Sequence, residues 1–311
     1  MLETLSKILD RLLANRLSLQ ARELAMLYPN QCGSLPGGSS FHAAVALTHE
    51  VATVQKLQLR ASSLLLDIKS GFNNVRPATL TGMLRERGVS PYIVSWVRSF
   101  LLERSCRLRF QCTPNAFLRV AVGTPQGSPI SPLLIVLYVA LLHRGTSTAS
   151  TISFVDDLAL TSASASHRRN VQLLQARFRR LSYKVSKLGL SFSVPKTELV
   201  HWPTPKDRAP PSRSPIHLED HIFYPREEVR WLGYWFTPNA TSTPHFRCRL
   251  TLANSAFTIV KRLAPPGAGL TPFWAHCLAR SLLLPLLSYG ADLFTPNMAM
   301  TQKLDVFWPR V

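Results

Sequence analysis

Three aspartates stand at the ends of short apolar segments. Asp67 ends an apolar run in Ser63–Ile68 (SLLLDI), and Asp156 and Asp157 follow the segment Thr151–Val155 (TISFV). Isolated buried charges are costly, so carboxylates in such places are normally paired or bound to a cation. If the two segments are neighbouring strands, the three carboxylates meet at one sheet edge, where divalent cations relieve their repulsion. Such oxygen ligands suit Mg²⁺, and two ions ~4 Å apart would support phosphoryl transfer to a 3′-hydroxyl.

Each acidic segment also has a simpler explanation when it is taken alone. Asp67 could cap the end of a strand, and Asp156 with Asp157 could form an ordinary hairpin turn. The interpretation as a catalytic site therefore depends on the remaining motifs of the chain.

Hydrophobic patterning predicts the elements that must position these carboxylates. Ser63–Ile68 is typical of a buried strand, and the acids lie at the tip of a tight hairpin formed by Thr151–Val155 and Leu158–Thr161. Leu133–Leu142 predicts a helix buried on all sides, and Arg230–Phe236 predicts one further strand. Leucines at helical spacing predict a core-facing helix at the start of the chain: Leu2, Leu5, Leu9, Leu12, Leu13 and Leu17. The mixture favours an α+β body followed by a helical C-terminal piece.

The charge of the chain indicates a polyanionic partner. There are 36 Lys and Arg residues against 17 Asp and Glu, which gives a net charge of +19. Such an excess favours nucleic acid, although a basic protein without that role is the alternative. The predicted phosphate contacts lie on two helical segments: Arg168, Arg169, Arg177, Arg179, Arg180, Lys184, Lys187, Arg247, Arg249, Lys261 and Arg262. Solvated helix faces without a ligand remain the alternative for each of them.

Two other classes of protein fit the composition poorly. The longest apolar run, Leu133–Leu142, is well short of the ~20 residues of a membrane span, and the basic residues are spread along the chain, so we expect no membrane partner. Five cysteines without a Cys-x-x-Cys pair argue against a disulfide framework or a zinc site.

Six segments resemble, in the same order, motifs of the reverse transcriptases of non-LTR (LINE-type) retrotransposons. They are the fingers motif Asn30–Ser39 (NQCGSLPGGS), the first catalytic motif Asp67–Val75 (DIKSGFNNV), the Pro-Gln-Gly motif Gly123–Leu134 (GTPQGSPISPLL), the Phe-x-Asp-Asp box Phe154–Asp157 (FVDD), the lysine motif Gly189–Glu198 (GLSFSVPKTE) and the primer-grip motif Trp231–Gly233 (WLG). The resemblance covers essentially the whole chain, and a lone Asp-Asp pair would be far less specific than this ordered set.

The resemblance implies an α+β right-hand polymerase fold with partial fingers, a palm built on an antiparallel sheet, and a helical thumb. We expect partial fingers in residues 1–62, the palm with inserted fingers elements in residues 63–237, and a truncated thumb or connection in residues 238–311. Relatives carry strands before the position of the first residue here, and this chain ends at Val311, soon after the thumb-like helices. We therefore expect a domain truncated at both ends.

The resemblance also implies a function, which is RNA-directed DNA polymerisation. Deoxynucleotides would be added to a primer 3′-hydroxyl by two-metal-ion phosphoryl transfer, with two Mg²⁺ as cofactors and Mn²⁺ as a substitute. The implied partners are an RNA template, a DNA primer and deoxynucleoside triphosphates. A nuclear location is implied for insertion into a genome.

Roles follow position by position from the matched motifs. Asp67 and Asp156 would bridge both metal ions, with Asp157 assisting them. Lys196 would act as a general acid on the departing pyrophosphate or neutralise its charge, and a surface lysine is its alternative.

The implied substrate contacts are Ile68, Phe72, Gln126 and Gly127. A ring at Phe72 would crowd a 2′-hydroxyl, which distinguishes ribonucleotides from deoxynucleotides. Gln126 would hydrogen-bond near the incoming nucleotide, and Gly127 would allow a close backbone approach.

The primer-grip residues would be Trp231, Leu232 and Gly233. Trp231 could pack against the primer backbone, and packing in the protein core is an equal alternative.

Three positions depart from the family pattern. Leu35 and Gly38 stand where relatives often have arginines, and Asn73 stands where many have aspartate. The alternative function is therefore a catalytically inactive, nucleic-acid-binding remnant of a retrotransposon polyprotein. An RNA-dependent RNA polymerase also uses paired aspartates, but Phe72 and the order of the motifs argue against it.

Overall fold

A computed structural model describes residues 4–35, 37–102, 104–107, 109–110, 113–114, 117–144, 151–204, 207, 213–263, 265 and 269–307. Pro36, within the predicted fingers motif, and the residues from Trp308 to Val311 at the predicted truncated end lie outside these ranges. None of the helices in the described ranges is long and apolar enough to cross a membrane.

Helices and strands alternate along the first three quarters of the chain, and helices follow. The helices are α1 Thr4–Glu23, α2 Ser40–Lys56, α3 Pro77–Glu86, α4 Pro91–Leu102, α5 Ser131–His143, α6 His167–Lys187, α7 Thr243–Leu263, α8 Pro272–Ser288 and α9 Met298–Phe307. The strands are β1 Gln31–Cys32, β2 Arg60–Asp67, β3 Ser105–Cys106, β4 Arg109–Phe110, β5 Thr113–Pro114, β6 Leu118–Arg119, β7 Thr151–Phe154, β8 Asp157–Ser164, β9 Glu198–Trp202, β10 Ile216–Leu218, β11 His221–Phe223, β12 Val229–Trp231 and β13 Tyr234–Phe236.

A five-stranded sheet in the order β1-β7-β8-β2-β9 forms the centre of the molecule. Strand β2 pairs antiparallel with both β8 and β9, and β1 adds a short parallel edge beside β7. The predicted neighbouring of the two acidic strands is confirmed, because Asp67 lies directly opposite Asp157 in the β2–β8 register.

The two faces of β2 are covered by different elements. Leu64 and Leu66 belong to a hydrophobic cluster with residues of α3, α4, α5 and α6, whereas Ala61 and Leu65 belong to a second cluster with residues of α2, β12 and β13. Because successive side chains of a strand point to opposite faces, Asp67 shares the face of Ala61 and Leu65. The carboxylate of Asp67 is therefore on the α2 side of the sheet, and α6 covers the other side.

Helix α5 is buried on all sides, as its apolar sequence predicts. Pro132 lies in its first turn, where a missing N–H costs nothing, and Tyr138 is completely buried. The Tyr138 hydroxyl donates a hydrogen bond to the carbonyl of Leu188 at 2.6 Å, so the one polar atom of this side chain is satisfied. Most buried hydrophobic residues of α5 belong to the same hydrophobic cluster as Leu64 and Leu66 of β2, on the face of the sheet opposite Asp67.

The predicted orientation of the first helix is wrong for most of its leucines. Leu5, Leu9 and Leu12 are 78%, 48% and 57% exposed, whereas Leu17 and Ala21 are fully buried. Helix α1 carries apolar residues on more than one face, and periodicity alone does not tell which face packs against the core.

The predicted single strand Arg230–Phe236 is also wrong, because this segment is the hairpin β12–β13. Trp231 pairs with Tyr234, and the two residues between them, Leu232 and Gly233, have φ angles of +52° and +83°. Two consecutive positive φ angles are what a two-residue hairpin turn of type I′ requires. A leucine in the turn extended the apolar run and concealed the break in the strand.

Candidate active site

Strand pairing brings the three predicted catalytic aspartates together. Asp67 and Asp157 are cross-strand partners, and Asp156 lies in the turn of the β7–β8 hairpin. The amide of Ile68 donates to the carbonyl of Asp156 at 3.1 Å, which ties this turn to the end of β2. Val155, at the same turn, has a φ of +55°, a conformation that β-branched residues rarely adopt and that is often found at functional sites.

Burial and repulsion between neighbouring carboxylates raise the pKa of Asp156 and Asp157 above the ordinary value of an aspartate. Burial, followed by the charges of Asp156 and Asp67, raises the pKa of Asp157 to about 7. Burial chiefly raises the pKa of Asp156 as well, and repulsion from Asp67 adds to it. A bound cation would relieve the repulsion within such a cluster of like charges.

Lys196 supplies one positive charge to this cluster. Its Nζ lies 3.0 Å from Oδ1 of Asp67, and this hydrogen bond and attraction raise the pKa of Lys196. The side chain is 66% exposed, so it remains a protonated, solvent-accessible ammonium beside the acids. That state suits either of its predicted roles at a phosphate.

The donor chemistry of the site fits a hard divalent cation. Asp67, Asp156 and Asp157 offer carboxylate oxygens whose repulsion is only partly offset by Lys196. Within the described part of the chain, however, no group of three or more His, Cys, Asp or Glu side chains is arranged to hold a metal ion. The carboxylates are neighbours that would have to turn towards a common point on binding.

The Pro-Gln-Gly loop is docked on the segment that follows Asp67. The amide of Thr124 donates to the carbonyl of Phe72 at 2.7 Å, and the amide of Gly123 donates to the carbonyl of Val75 at 2.8 Å. A Cβ on Gly123 would come within 2.8 Å of the Asn73 carbonyl oxygen, and its φ is +83°. Only glycine permits this close packing of the two motifs.

The tip of this loop faces outwards. Gln126 is exposed and its Nε2 donates to Oδ1 of Asn73 at 3.3 Å. Gly127 has a φ of +91°, and a Cβ there would meet no atom of the protein within 4 Å. Glycine is thus required by the backbone angle, and the open space leaves room for a ligand.

A buried carboxylate anchors the far end of the same loop, and the sequence interpretation missed it. Asp10 on α1 is 3% exposed, and Oγ of Ser128 donates to its Oδ2 at 2.5 Å. The available signal was a lone aspartate among the leucines of a helix that contributes to the core.

The two predicted substrate residues after Asp67 differ in accessibility. Phe72 is half-buried and packs at the border of the core, so part of its ring can face a ligand. Ile68 is 1% exposed and its side chain lies within the core. Contact between Ile68 and a nucleotide would therefore have to come from its main chain.

Trp231 lies where the predicted primer grip meets the catalytic acids. It is 3% exposed within the second hydrophobic cluster, and its Nε1 has no hydrogen-bond partner among the described residues. With Asp67, Asp157 and Lys196 it lines a cleft of about 390 Å³. Trp231 therefore packs in the core, which is the alternative that the sequence left open for it. It also contributes to the lining of the cleft.

Three of the predicted phosphate-binding residues are bonded inside the protein. Nη2 of Arg177 donates to Oγ1 of Thr151 at 2.8 Å, and Nζ of Lys184 donates to the carbonyl of Leu142 at 3.2 Å. Arg249 donates to a carbonyl of the β12–β13 turn. Phosphate contact by these three residues stays a prediction, because each of them already has a hydrogen-bond partner within the protein. The other basic residues of α6 lie on the helix that covers the sheet face opposite Asp67.

The mainly antiparallel sheet, with carboxylates at the ends of two inner strands and helices packed against it, has the architecture expected for a right-hand polymerase. The sequence matches the family described as Reverse transcriptase (RNA-dependent DNA polymerase) over residues 1–236, and the chain belongs to that family.

Two relatives are transposon proteins of Drosophila melanogaster. The chain is 25% identical over 251 residues to "Probable RNA-directed DNA polymerase from transposon X-element", covering 79% of this chain and 27% of that protein. It is 22% identical over 306 residues to "Probable RNA-directed DNA polymerase from transposon BS", covering 94% of this chain and 33% of that protein. The chain thus spans about a third or less of the length of these relatives, and the predicted non-LTR retrotransposon reverse transcriptase domain is confirmed.

Solved structures confirm the predicted fold class. Telomerase from Candida tropicalis in complex with the TWJ fragment of telomeric RNA aligns with a TM-score of 0.54 at 10% identity, over 98% of this chain and 50% of that one. The corresponding complex from Candida albicans has a TM-score of 0.53 at 14% identity, over 97% of this chain and 51% of that one. At these identities the likeness concerns the fold alone.

Proposed function

We propose that this chain is a reverse transcriptase core that adds deoxynucleotides to the 3′-hydroxyl of a primer paired with an RNA template. The observation that carries the proposal is the cross-strand pairing of Asp67 with Asp157 next to the turn that holds Asp156. Family membership gives the reaction class, and this geometry keeps the required carboxylates in place.

Asp67, Asp156 and Asp157 would hold two Mg²⁺ ions, with Mn²⁺ as a substitute. The bound ions would supply activation of the 3′-hydroxyl and stabilisation of the leaving oxygen. The protein itself fixes the carboxylates by the β2–β8 register and places them in partly buried surroundings, where their charge favours a bound cation. Lys196 would hold a proton beside the departing pyrophosphate and neutralise part of its charge.

The remaining site residues would contact the nucleotide and the primer. Phe72 would exclude a 2′-hydroxyl, and Gln126 with Gly127 would border the incoming nucleotide from the exposed loop tip. The turn Trp231–Gly233 would support the primer end across the cleft that it shares with Asp67. The division into fingers (1–62), palm (63–237) and thumb (238–311) stays a prediction, and β1 joins the central sheet from the first of these parts.

A catalytically inactive nucleic-acid-binding remnant is the second candidate. It is favoured by the carboxylates of the described residues, which do not yet converge as a metal-binding group. Leu35 and Gly38, in place of arginines, add to it because they remove charge that would bind a triphosphate.

Primer extension separates the two candidates. The purified chain is incubated with an oligo(dT)-primed RNA template, Mg²⁺ and dTTP, beside an Asp156→Ala, Asp157→Ala double variant. We expect extension by the native chain and none by the variant. A native chain that is folded and binds the duplex but does not extend the primer would establish the remnant instead.

A further inference from the structure

The β12–β13 turn leaves two carbonyl groups that its own hairpin does not use. Leu232 and Gly233 form a two-residue turn, so their carbonyls point away from the ladder between Trp231 and Tyr234. Main-chain carbonyls in half-buried surroundings normally find a partner. Both partners here come from the C-terminal helical region.

Tyr289 and Arg249 each donate a hydrogen bond to one of these carbonyls. The Tyr289 hydroxyl donates to the Leu232 carbonyl at 2.7 Å, and Nη2 of Arg249 donates to the Gly233 carbonyl at 2.5 Å. The guanidinium carbon of Arg249 lies 4.3 Å from the centroid of the Tyr289 ring, so the two side chains also support each other by a cation–π contact.

The fit between Tyr289 and the turn is close. A Cβ on Gly233 would lie 3.0 Å from the Tyr289 hydroxyl oxygen, which is a tight contact, and the φ of +83° favours glycine at this position. Because the single hydroxyl proton of Tyr289 is used on Leu232, the Oγ of Ser40, 3.4 Å away, is the donor to Tyr289. Tyr289 therefore links the turn to the N-terminal end of α2 as well as to α7.

A second support holds the start of the hairpin on the palm. Oε2 of Glu198 accepts from the amide of Arg230 at 3.1 Å, and its Oε1 accepts from Arg226 at 2.5 Å. Glu198 begins β9, two residues after Lys196, which contacts Asp67. The hairpin is thus fixed to the acidic site on one side and to the C-terminal helices on the other.

The side chain of Arg249 points towards the protein interior. Its Nε is buried and has no hydrogen-bond partner among the described residues, so the side chain is turned away from solvent at that atom.

We propose that Arg249 and Tyr289 are positioning residues that set where the Trp231–Gly233 turn, and with it the primer end, lies relative to Asp67. The inference rests on the proposed function, since it assigns a purpose to the turn in that reaction. Neither side chain is expected to touch the reacting atoms. They would act on the reaction only by fixing the Leu232 and Gly233 carbonyls, and thereby the position of the turn.

The test uses Tyr289→Phe, which keeps the ring and removes one hydrogen bond, and Arg249→Gln, with Arg249→Lys as the conservative rescue. Tyr224→Phe and Arg98→Gln, both at exposed positions, are the matched controls. Each protein is assayed for melting temperature, primer–template Kd, single-turnover extension rate, and photocrosslinking to residues 230–234 of a primer whose last nucleotide is 4-thiothymidine.

We expect Tyr289→Phe and Arg249→Gln to slow extension about tenfold or more, because small displacements of reacting groups have effects of that size. Their Kd should be unchanged, crosslinking to the turn should fall, and Arg249→Lys should recover part of both signals. Unchanged extension and crosslinking in folded variants would overturn the inference, as would a loss that merely follows the melting temperature.

Failure of the proposed function would be seen separately. If the wild-type chain binds the primer–template without extending it, the polymerase proposal fails, and crosslinking alone then decides the positioning role. A lower crosslinking yield at equal Kd would support it, and an equal yield would overturn it.

Discussion

The two ends of strand β2 both carry polar groups in buried surroundings, but only one end satisfies them. The histidine end comprises Arg60, Ser62, His167, His201 and Asp207. There, Arg60 forms an ion pair with Asp207 at 2.5 Å, and the rings of His167 and His201 stack with their centroids 4.5 Å apart. The polar groups at this end are thus satisfied by one another and by the main chain, without a ligand.

Hydrogen-bond directions at the histidine end are consistent with neutral rings. Nε2 of His201 donates to the Ser214 carbonyl at 3.0 Å, so its Nδ1 accepts from Ser62 Oγ at 2.8 Å. Ser62 Oγ then accepts from Nδ1 of His167 at 3.2 Å. Burial, and then the neighbouring His201 and Arg60, lower the pKa of His167 to about 4, which keeps this ring uncharged at neutral pH.

The acidic end comprises Asp67, Asp156, Asp157 and Lys196, and it keeps an uncompensated charge. Its carboxylates repel one another, and Lys196 offsets only part of that repulsion. A protein selected for stability alone would satisfy this end as it satisfies the other. This contrast supports the proposal that the acidic end is the functional one, because unsatisfied charges, rather than buried polar groups as such, are typical of functional sites.

The largest expected effect separates activity from stability at the acidic end. Asp156→Asn should reduce primer extension by about 10³-fold, because it removes an anionic oxygen from the carboxylates proposed to hold the metal ions. In metal-free buffer the free energy of unfolding should be unchanged or higher, because one repulsive charge is lost. Extension assays and urea unfolding measure the two quantities. Asp220→Asn, at an exposed position, is the control, and a clear loss of stability in Asp156→Asn alone would break the comparison.

The opposite result is expected at the histidine end. His201→Leu should lower the free energy of unfolding by about 2–4 kcal/mol, because the hydroxyl of Ser62 loses its acceptor and the Ser214 carbonyl loses the donor Nε2 of His201 in a buried region. Extension per folded molecule at a permissive temperature should stay near the wild-type value. A variant that is fully stable but inactive would show that this end also takes part in the reaction.

The sequence predicted the acidic end better than the histidine end, for physical reasons. Asp67 and the Asp156–Asp157 pair follow apolar runs, so local patterning reveals both their burial and their conflict of charge. Ser62, His167 and His201 meet only through the pairing of β2 with β9 and the packing of α6, and no local pattern encodes such contacts.

The same limit applies to the supports of the hairpin. Tyr289 and Arg249 reach the Leu232–Gly233 turn from 57 and 16 residues away along the chain, and the turn itself was concealed by its leucine. Helix α1 was predicted, but its buried face was assigned wrongly, because the choice between apolar faces depends on the neighbouring elements.

The histidine end should contribute to the pH dependence of stability, beside buried groups such as His143, whose pKa burial also lowers to about 4. The pKa of His167 is about 4 in the folded protein, below its ordinary value, so the unfolded state binds more protons between those values. Stability is therefore fully present above the ordinary histidine pKa and is lost as pH falls towards 4, by up to about 1.4 kcal/mol per pH unit for this group. Urea unfolding across that range measures it.

His167→Asn isolates this contribution, because the asparagine amide can replace the Nδ1 donor without titrating. The free energy of unfolding of wild type minus that of His167→Asn should change with pH between about 4 and the ordinary histidine pKa. Above the ordinary histidine pKa this difference should be constant. The comparison of the two proteins is needed because Glu50, whose pKa is raised to about 7, chiefly by burial, contributes with the opposite sign. A difference between the two proteins that does not change with pH in this range would place the titrating group elsewhere.

The smallest expected effect concerns Lys196 and depends on magnesium. The ion pair with Asp67 is largely exposed on the lysine side, so Lys196→Met should lower the free energy of unfolding by less than about 1 kcal/mol in metal-free buffer. Saturating Mg²⁺ should abolish even this difference, because a divalent ion at the carboxylates replaces the compensation that lysine provides. The loss in His201→Leu should be the same with and without Mg²⁺, since the histidine end satisfies its own groups. An equal loss of unfolding free energy in Lys196→Met with and without Mg²⁺ would mean that the carboxylates do not bind the ion. The two ends of β2 would then differ in charge but not in metal binding.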